Sequence, residues 1–381
     1  MSEYQYYEFL ALDRPLRPEE IAEVRKLSSR VQPTPTQAVF TYSFGDFRGD
    51  PLKVLAKYYD VLFYIANWGT KQLAFRFPKA AIDQAALQPY LYGVEEIELT
   101  TAGEYVILNI AFQEEEGRGW IEGERMMAGL APLRDDILRG DMRALYLAWL
   151  ASAGYGGASS GEWDDDEERD EEGDPVEPPV PPGLGELTAP LRTFIELFVI
   201  DQDLVEAAAQ ASPPLKATKE PIEQWVPLLP EAERHAFLVQ AARGEAIGAT
   251  LLRRLREVGG APRPNAATAP RRTFAQIAQA SEEVRRRRKQ REQQEAERAR
   301  LAKLEALAKR EEHIWAQIPG LLALRTAQGY GEAVEQLADL RDLAVHRQQR
   351  AEFDTRLQGV LAPYASSAAL LRRLREKKLV G

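Results

Sequence analysis

The chain has 381 residues, 45% of them hydrophobic and 28% charged, with a formal net charge of −10. At about 150 residues per domain there is room for two or three domains, and this composition excludes collagen-like repeats and wholesale disorder. Cysteine is absent and there are only three histidines, His235, His313 and His346, which excludes disulfides, thiol nucleophiles, iron–sulfur clusters and cysteine-based zinc sites.

Residues 1–153 read as an α+β domain. Phe40, Tyr42 and Phe44 alternate with Thr41 and Ser43, and Leu73, Phe75 and Phe77 alternate with Ala74 and Arg76. Val106, Leu108, Ile110 and Phe112 form a third stripe. A period of two marks strands with one buried face. The run Val61-Leu62-Phe63-Tyr64-Ile65-Ala66 is apolar on both faces and reads as a central strand. Pro18-Glu19-Glu20 opens a helix, and Asp50-Pro51 opens another, with Asp50 as N-cap and Pro51 at the first helical position. Thr101-Ala102-Gly103 separates two strands of an expected hairpin. A helix pair over 121–130 and 132–151 closes the domain.

Composition then changes. Residues 154–185 are Gly/Ser-rich, then acidic, then Pro-rich, with one basic residue against 11 acidic ones over 156–184. With so few apolar residues to offset ordering entropy, 154–185 reads as a disordered acidic linker. Short amphipathic segments at 191–198, 225–238 and 251–255 predict a small helical domain over 186–258, followed by a second linker over 259–271. A long basic helix is expected over 272–318, stopping at Pro319-Gly320, and a helical bundle over 319–381. Residues 261–381 carry 24 basic against 15 acidic side chains, so the tail has a local positive potential despite the acidic whole. No run approaches the ~18 apolar residues that span a bilayer, and the first residues lack a basic stretch leading into an apolar one. A cytoplasmic protein without membrane partner is the expectation.

Two segments carry resemblances. Tyr6-Tyr7-Glu8-Phe9-Leu10-Ala11-Leu12-Asp13-Arg14-Pro15-Leu16, Gly45-Asp46-Phe47-Arg48-Gly49-Asp50-Pro51 and Ala66-Asn67-Trp68-Gly69-Thr70 resemble a family of uncharacterised bacterial proteins over about 150 residues. Tyr330-Gly331-Glu332-Ala333-Val334-Glu335-Gln336-Leu337-Ala338-Asp339-Leu340-Arg341-Asp342-Leu343-Ala344, with Leu370-Leu371-Arg372-Arg373-Leu374, resembles the helical tail of bacterial SWIM zinc-finger proteins. Without cysteine the SWIM zinc site is missing, so the resemblance implies a docking tail and no metal.

Arg285-Arg286-Arg287-Arg288-Lys289, with Arg291, is the sharpest charge feature. These residues are candidates for phosphate contact along a nucleic-acid backbone, and no aromatic residue between 275 and 314 supplies base stacking. The alternative is a solvated helix face interleaved with glutamates, or neutralisation by the acidic run at 164–172. Asp46, Arg48 and Asp50 in one loop, and Asn67 and Trp68 in another, are candidates for a ligand- or partner-binding loop, against the plainer reading of strand connections. No acid–base pair, Ser-His-Asp arrangement, phosphate loop or metal-ligand spacing emerges, so neither catalytic residues nor a cofactor are expected. The reading is a non-enzymatic bacterial adaptor with a protein partner, and self-association is compatible with it. Two alternatives stand beside it: a sequence-independent nucleic-acid-binding accessory protein working through the basic helix, and an enzyme with a carboxylate site in the N-terminal domain.

Overall fold

The computed structural model describes residues 4–29, 31–113, 123–158, 174–215, 220–260 and 271–380, with side chains at all of these but 156–158. Two compact units divide it, Met1–Arg285 and Arg286–Gly381.

The first unit is built on a six-stranded sheet. Its strands are β1 (Gln5–Leu10), β2 (Gln37–Tyr42), β3 (Val61–Ala66), β4 (Thr70–Pro78), β5 (Ile97–Ala102) and β6 (Tyr105–Gln113), in the order β2-β1-β3-β4-β6-β5 with every neighbour antiparallel. Strand β3 is interior, as its two-sided apolar pattern predicts. Strand β1, which the periodicity reading does not mark, lies beside it and is buried along most of its length. The hairpin turn falls at Gly103-Glu104, two residues later than expected, where Gly103 takes a φ of +60° that a side chain disfavours.

Alternation sends Tyr6, Phe63, Leu73, Phe75, Leu108 and Ile110 to one face and Tyr7, Phe9, Leu62, Ala74 and Ile107 to the other. Against the second face pack α1 (Pro18–Arg25) and α2 (Pro51–Tyr58), through Val24, Val54, Leu55 and Tyr58. Between β4 and β5 lies the single turn α3 (Gln84–Leu87). The first face is covered by α4 (Met126–Leu130), α5 (Pro132–Leu138), α6 (Arg143–Ala158), α7 (Ala189–Leu197) and α8 (Gln202–Ala209), and here sits the larger core, around Trp149 and Phe194. Each such side chain fully withdrawn from water contributes about 1.5–3 kcal/mol. The single helix expected over 132–151 is two, because Gly140 at φ +88° ends the first.

The expected disordered linker over 154–185 is corrected at its two ends, 154–158 and 174–185. Helix α6 runs through to Ala158, and residues 174–185 are packed onto this unit, with Glu177 and Leu184 2% exposed. The acidic run from Asp164 lies outside the described residues. The helical domain over 186–258 is also redrawn. Helices α7 and α8 belong to the sheet's core, whereas α9 (Ile222–Trp225) and α11 (Gly248–Val258) gather with Leu229 into a small cluster of their own through Trp225 and Leu255. Between them, α10 (Glu231–Ala242) buries no residue and is tied to α11 by the Glu233–Arg254 ion pair. Most of the expected second linker, 261–270, is outside the described residues.

The long helix is shorter than expected. Helix α12 (Phe274–Ala308) breaks at Lys309-Arg310, and α13 (Glu311–Ala323) carries Pro319 in its interior. Pro319 does not stop α13 because Ile318 and Leu322, on either side of it, are both buried in the tail's core. That core also takes Tyr330, Ala333, Leu337 and Leu340 from α14 (Ala327–His346), Phe353 and Leu357 from α15 (Arg350–Leu361), and Leu370 and Leu374 from α16 (Ala368–Glu376). The bundle therefore begins at α13, before residue 319.

Candidate functional site

Five of the candidate residues, Asp46, Arg48, Asp50, Asn67 and Trp68, come together at one end of the sheet. Strand β2 ends there and leads into the 43–50 loop, and β3 turns there through Asn67-Trp68-Gly69 into β4. Strand β1 lies between β2 and β3, so the two connections are about 10 Å apart at the ladder spacing of ~4.8 Å per strand.

The 43–50 loop is fastened from beneath. Gln5 is buried, and its amide donates to the Gly45 carbonyl at 3.3 Å and to Asp46 Oδ1 at 3.1 Å, while its Oε1 accepts from the Tyr7 hydroxyl at 2.7 Å. Phe47 inserts into an aromatic nest, with ring centroids 4.9 Å from Tyr7 and 5.0 Å from Phe40. Tyr7 stacks on Tyr64 at 4.2 Å. Burial pushes the Tyr7 and Tyr64 hydroxyls above their ordinary range, so both stay protonated donors at any physiological pH. Gly45 at φ +81° and Gly49 at φ +131° make the bends. Asp50 caps α2, accepting from the backbone N–H groups of Leu52 at 2.9 Å and Lys53 at 3.2 Å. With its floor so fixed, the loop turns Phe44 outward, 77% exposed, and leaves Arg48 exposed.

The β3–β4 turn is fastened in the same way. Asn67 Oδ1 accepts from the Tyr4 N–H at 2.9 Å, its own N–H donates to the Tyr4 carbonyl, and Gly69 takes a φ of +99°. Trp68 is left 39% exposed. Thus Asp46, Asp50 and Asn67, though exposed, bond to backbone N–H groups or to Gln5, and beside them Phe44, Arg48 and Trp68 are exposed too. Sequence reasoning did not single out Phe44, Gln5 or Tyr7. Phe44 was readable as a strand residue from its alternation, and only the early end of β2 at Tyr42 exposes it.

The basic candidates divide differently. Arg285 donates to Asp203 at 3.2 Å and to Asp201 at 2.5 Å, both at the start of α8. Arg286, Arg287, Arg288, Lys289 and Arg291 are exposed, as is every residue over 286–300. Arg288 pairs with Glu292 one turn on.

Other charged clusters are internally satisfied. Arg134, 1% exposed, gives a two-pronged contact to Asp13 at 2.9 and 2.7 Å and donates to the Arg76 carbonyl. Asp60 accepts from Arg76 and from the Leu12 and Asp13 N–H groups. Glu177 accepts from Tyr146 and Arg272. In each of these networks the charged groups are bonded to one another and to the backbone, as buried charges require. Among the described residues no group of three or more His, Cys, Asp or Glu is placed to hold a metal ion, and no helix is long and apolar enough to cross a membrane.

Comparison with protein-family models, curated proteins and solved structures finds no match to this chain.

Proposed function

We propose that this protein is a non-enzymatic adaptor whose N-terminal unit docks a protein partner at the end of the sheet that carries Phe44, Arg48 and Trp68. The observation that carries this reading is the combination at the 43–50 loop: a rigid floor made by Gln5 and Phe47, beneath an outward-facing Phe44. An exposed aromatic on a fastened loop gains little for folding and much for binding, because ordering entropy of the loop is spent before a partner arrives. Aromatic and arginine side chains are also the residue types that dominate binding hot spots. The C-terminal bundle, with its own core and its resemblance to the docking tail of SWIM proteins, supports a second attachment point in the same chain.

The test is quantitative capture from native lysate under nuclease treatment, with the wild type and a Phe44→Ala/Trp68→Ala variant as baits. A partner retained by the wild type at near-stoichiometric level and reduced at least ~10-fold by the variant supports the reading, since two lost aromatic contacts remove about 2–4 kcal/mol. Phe44 is 77% and Trp68 39% exposed, so the variant is expected to keep the wild-type circular dichroism spectrum, which is checked before capture. Identical eluates from the two baits, or no retained partner, overturn it.

A further inference from the structure

We infer that the exposed middle of α12, residues 286–300, is a binding surface for the phosphate backbone of a nucleic acid, independent of base sequence. This goes beyond the adaptor reading and does not rest on it. Seven basic side chains, Arg286, Arg287, Arg288, Lys289, Arg291, Arg298 and Arg300, face three glutamates over this stretch, and every one of the 15 residues is exposed. The densest part, 286–291, puts five cations on about 7.5 Å of helix axis at 1.5 Å per residue, one per ~1.5 Å. Duplex DNA carries one negative charge per ~1.7 Å of its axis, so the charge densities correspond.

Position around the helix sharpens the match. At 100° per residue, Arg287, Arg291, Gln294 and Arg298 fall within about 60° of one another, a stripe of three guanidiniums and a neutral hydrogen-bonding amide. Glu292, Glu295 and Glu297 lie outside that stripe. Arginine suits this task, because its planar fork bonds phosphate oxygens in pairs.

The alternative partner is an acidic protein. It is disfavoured because 286–300 contains no apolar residue but Ala296 and Ala299, and no aromatic side chain lies between Phe274 and Trp315. A protein interface needs an apolar or aromatic centre to exclude water, whereas phosphate binding needs only charge and donors. The missing aromatics also restrict the contact to the backbone, with no base stacking.

Fluorescence anisotropy on the full chain tests this, with two labelled duplexes of unrelated sequence and with poly-glutamate as the protein-like polyanion. The expected result is equal affinity for both duplexes, weak binding of poly-glutamate, and a logarithmic salt slope of magnitude about 3 from the three guanidiniums of the stripe. Replacing Arg287, Arg291 and Arg298 by Gln, which keeps helix propensity, is expected to weaken binding more than ~10-fold and to cut the slope by about one per residue. The companion variant Glu292→Gln/Glu295→Gln/Glu297→Gln is expected to bind several-fold more tightly, so the idea does not hang on a loss that misfolding also produces. Three outcomes overturn it: no saturable duplex binding at low salt, an affinity and slope indifferent to the Gln variants, or poly-glutamate bound as tightly as DNA.

Discussion

Arg134 is the most informative single side chain of the N-terminal unit. A guanidinium 1% exposed survives only because Asp13 receives two of its N–H groups and the Arg76 carbonyl a third. Its ring-face neighbour Phe77 lies 5.6 Å away. Removing one partner of such a pair strands the other, so Arg134→Met is expected to cost about 3–5 kcal/mol in a urea titration. Arg134→Lys keeps the charge, loses the fork, and is expected to recover only part of that loss. Glu20 yields a pH-dependent counterpart. Arg14 forms a two-pronged contact to it at 2.8 Å, and the Arg17 N–H adds a third bond. The Arg14 guanidinium therefore holds the Glu20 carboxyl well below the usual carboxylate range. Its contribution is complete above the unfolded value near ~4.3 and is lost as pH falls through the lower folded value. Glu20→Gln is thus expected to be less stable than wild type by about 1–2 kcal/mol at pH 7, with the gap closing below about pH 4, as read from denaturation midpoints across pH.

Among elements, α2 and α12 show how a helix start is set from nearby or from far away. Helix α2 is capped by its own Asp50, so Asp50→Ala is expected to cost about 1 kcal/mol in thermal stability. Because Asp50 is occupied by the Leu52 and Lys53 N–H groups, the same change is expected to leave partner capture unaltered. A drop in capture comparable to that of the Phe44 variant would instead make Asp50 part of the docking surface. Helix α12 is capped by Asp174, whose carboxylate receives the Ala275 N–H from 101 residues away. Next to it, Val176 bridges Thr273, and the buried Glu177 holds Arg272. Nothing in a Pro-rich acidic stretch announces such pairing. The stretch is apolar-poor, and its order comes from Leu184 and Val180 packing into the sheet's core together with bonds to distant partners, such as the Tyr90 hydroxyl donating to the Pro179 carbonyl.

On the scale of the whole molecule, the largest clusters of the two compact units form separately. The sheet, α4–α8 and the first turns of α12 share one through Ile277 and Val284, and α13–α16 build another around Leu337. Two cooperative transitions are therefore expected on heating, in place of one. Leu337→Ala leaves a cavity in the second core and is expected to destabilise that transition by about 2–5 kcal/mol, leaving the other within ~0.5 kcal/mol. Calorimetry resolves the two. A single transition shifted as a whole by Leu337→Ala would show that the cores are thermodynamically one.

Local rules made much of this legible. A period of two marked β4 and β6, a two-sided apolar run marked β3, and Asp50-Pro51 marked the start of α2, because each depends on residues within one turn or one strand. The exposure of 286–300 was readable for the same reason, since a helix stretch with only two alanines has no face to bury. What tertiary structure decided was which segments share a core, and which side chains are consumed in holding a loop. Residues 174–185, α7 and α8 join the sheet, and Gln5 reaches Asp46 from 41 positions away. Such contacts arise from chain closure and long-range burial, and their energies depend on geometry that no local window contains. The end of β2 at Tyr42, two residues short of its apolar alternation, is the clearest case: Phe44 has the pattern of a core residue and the position of a surface one.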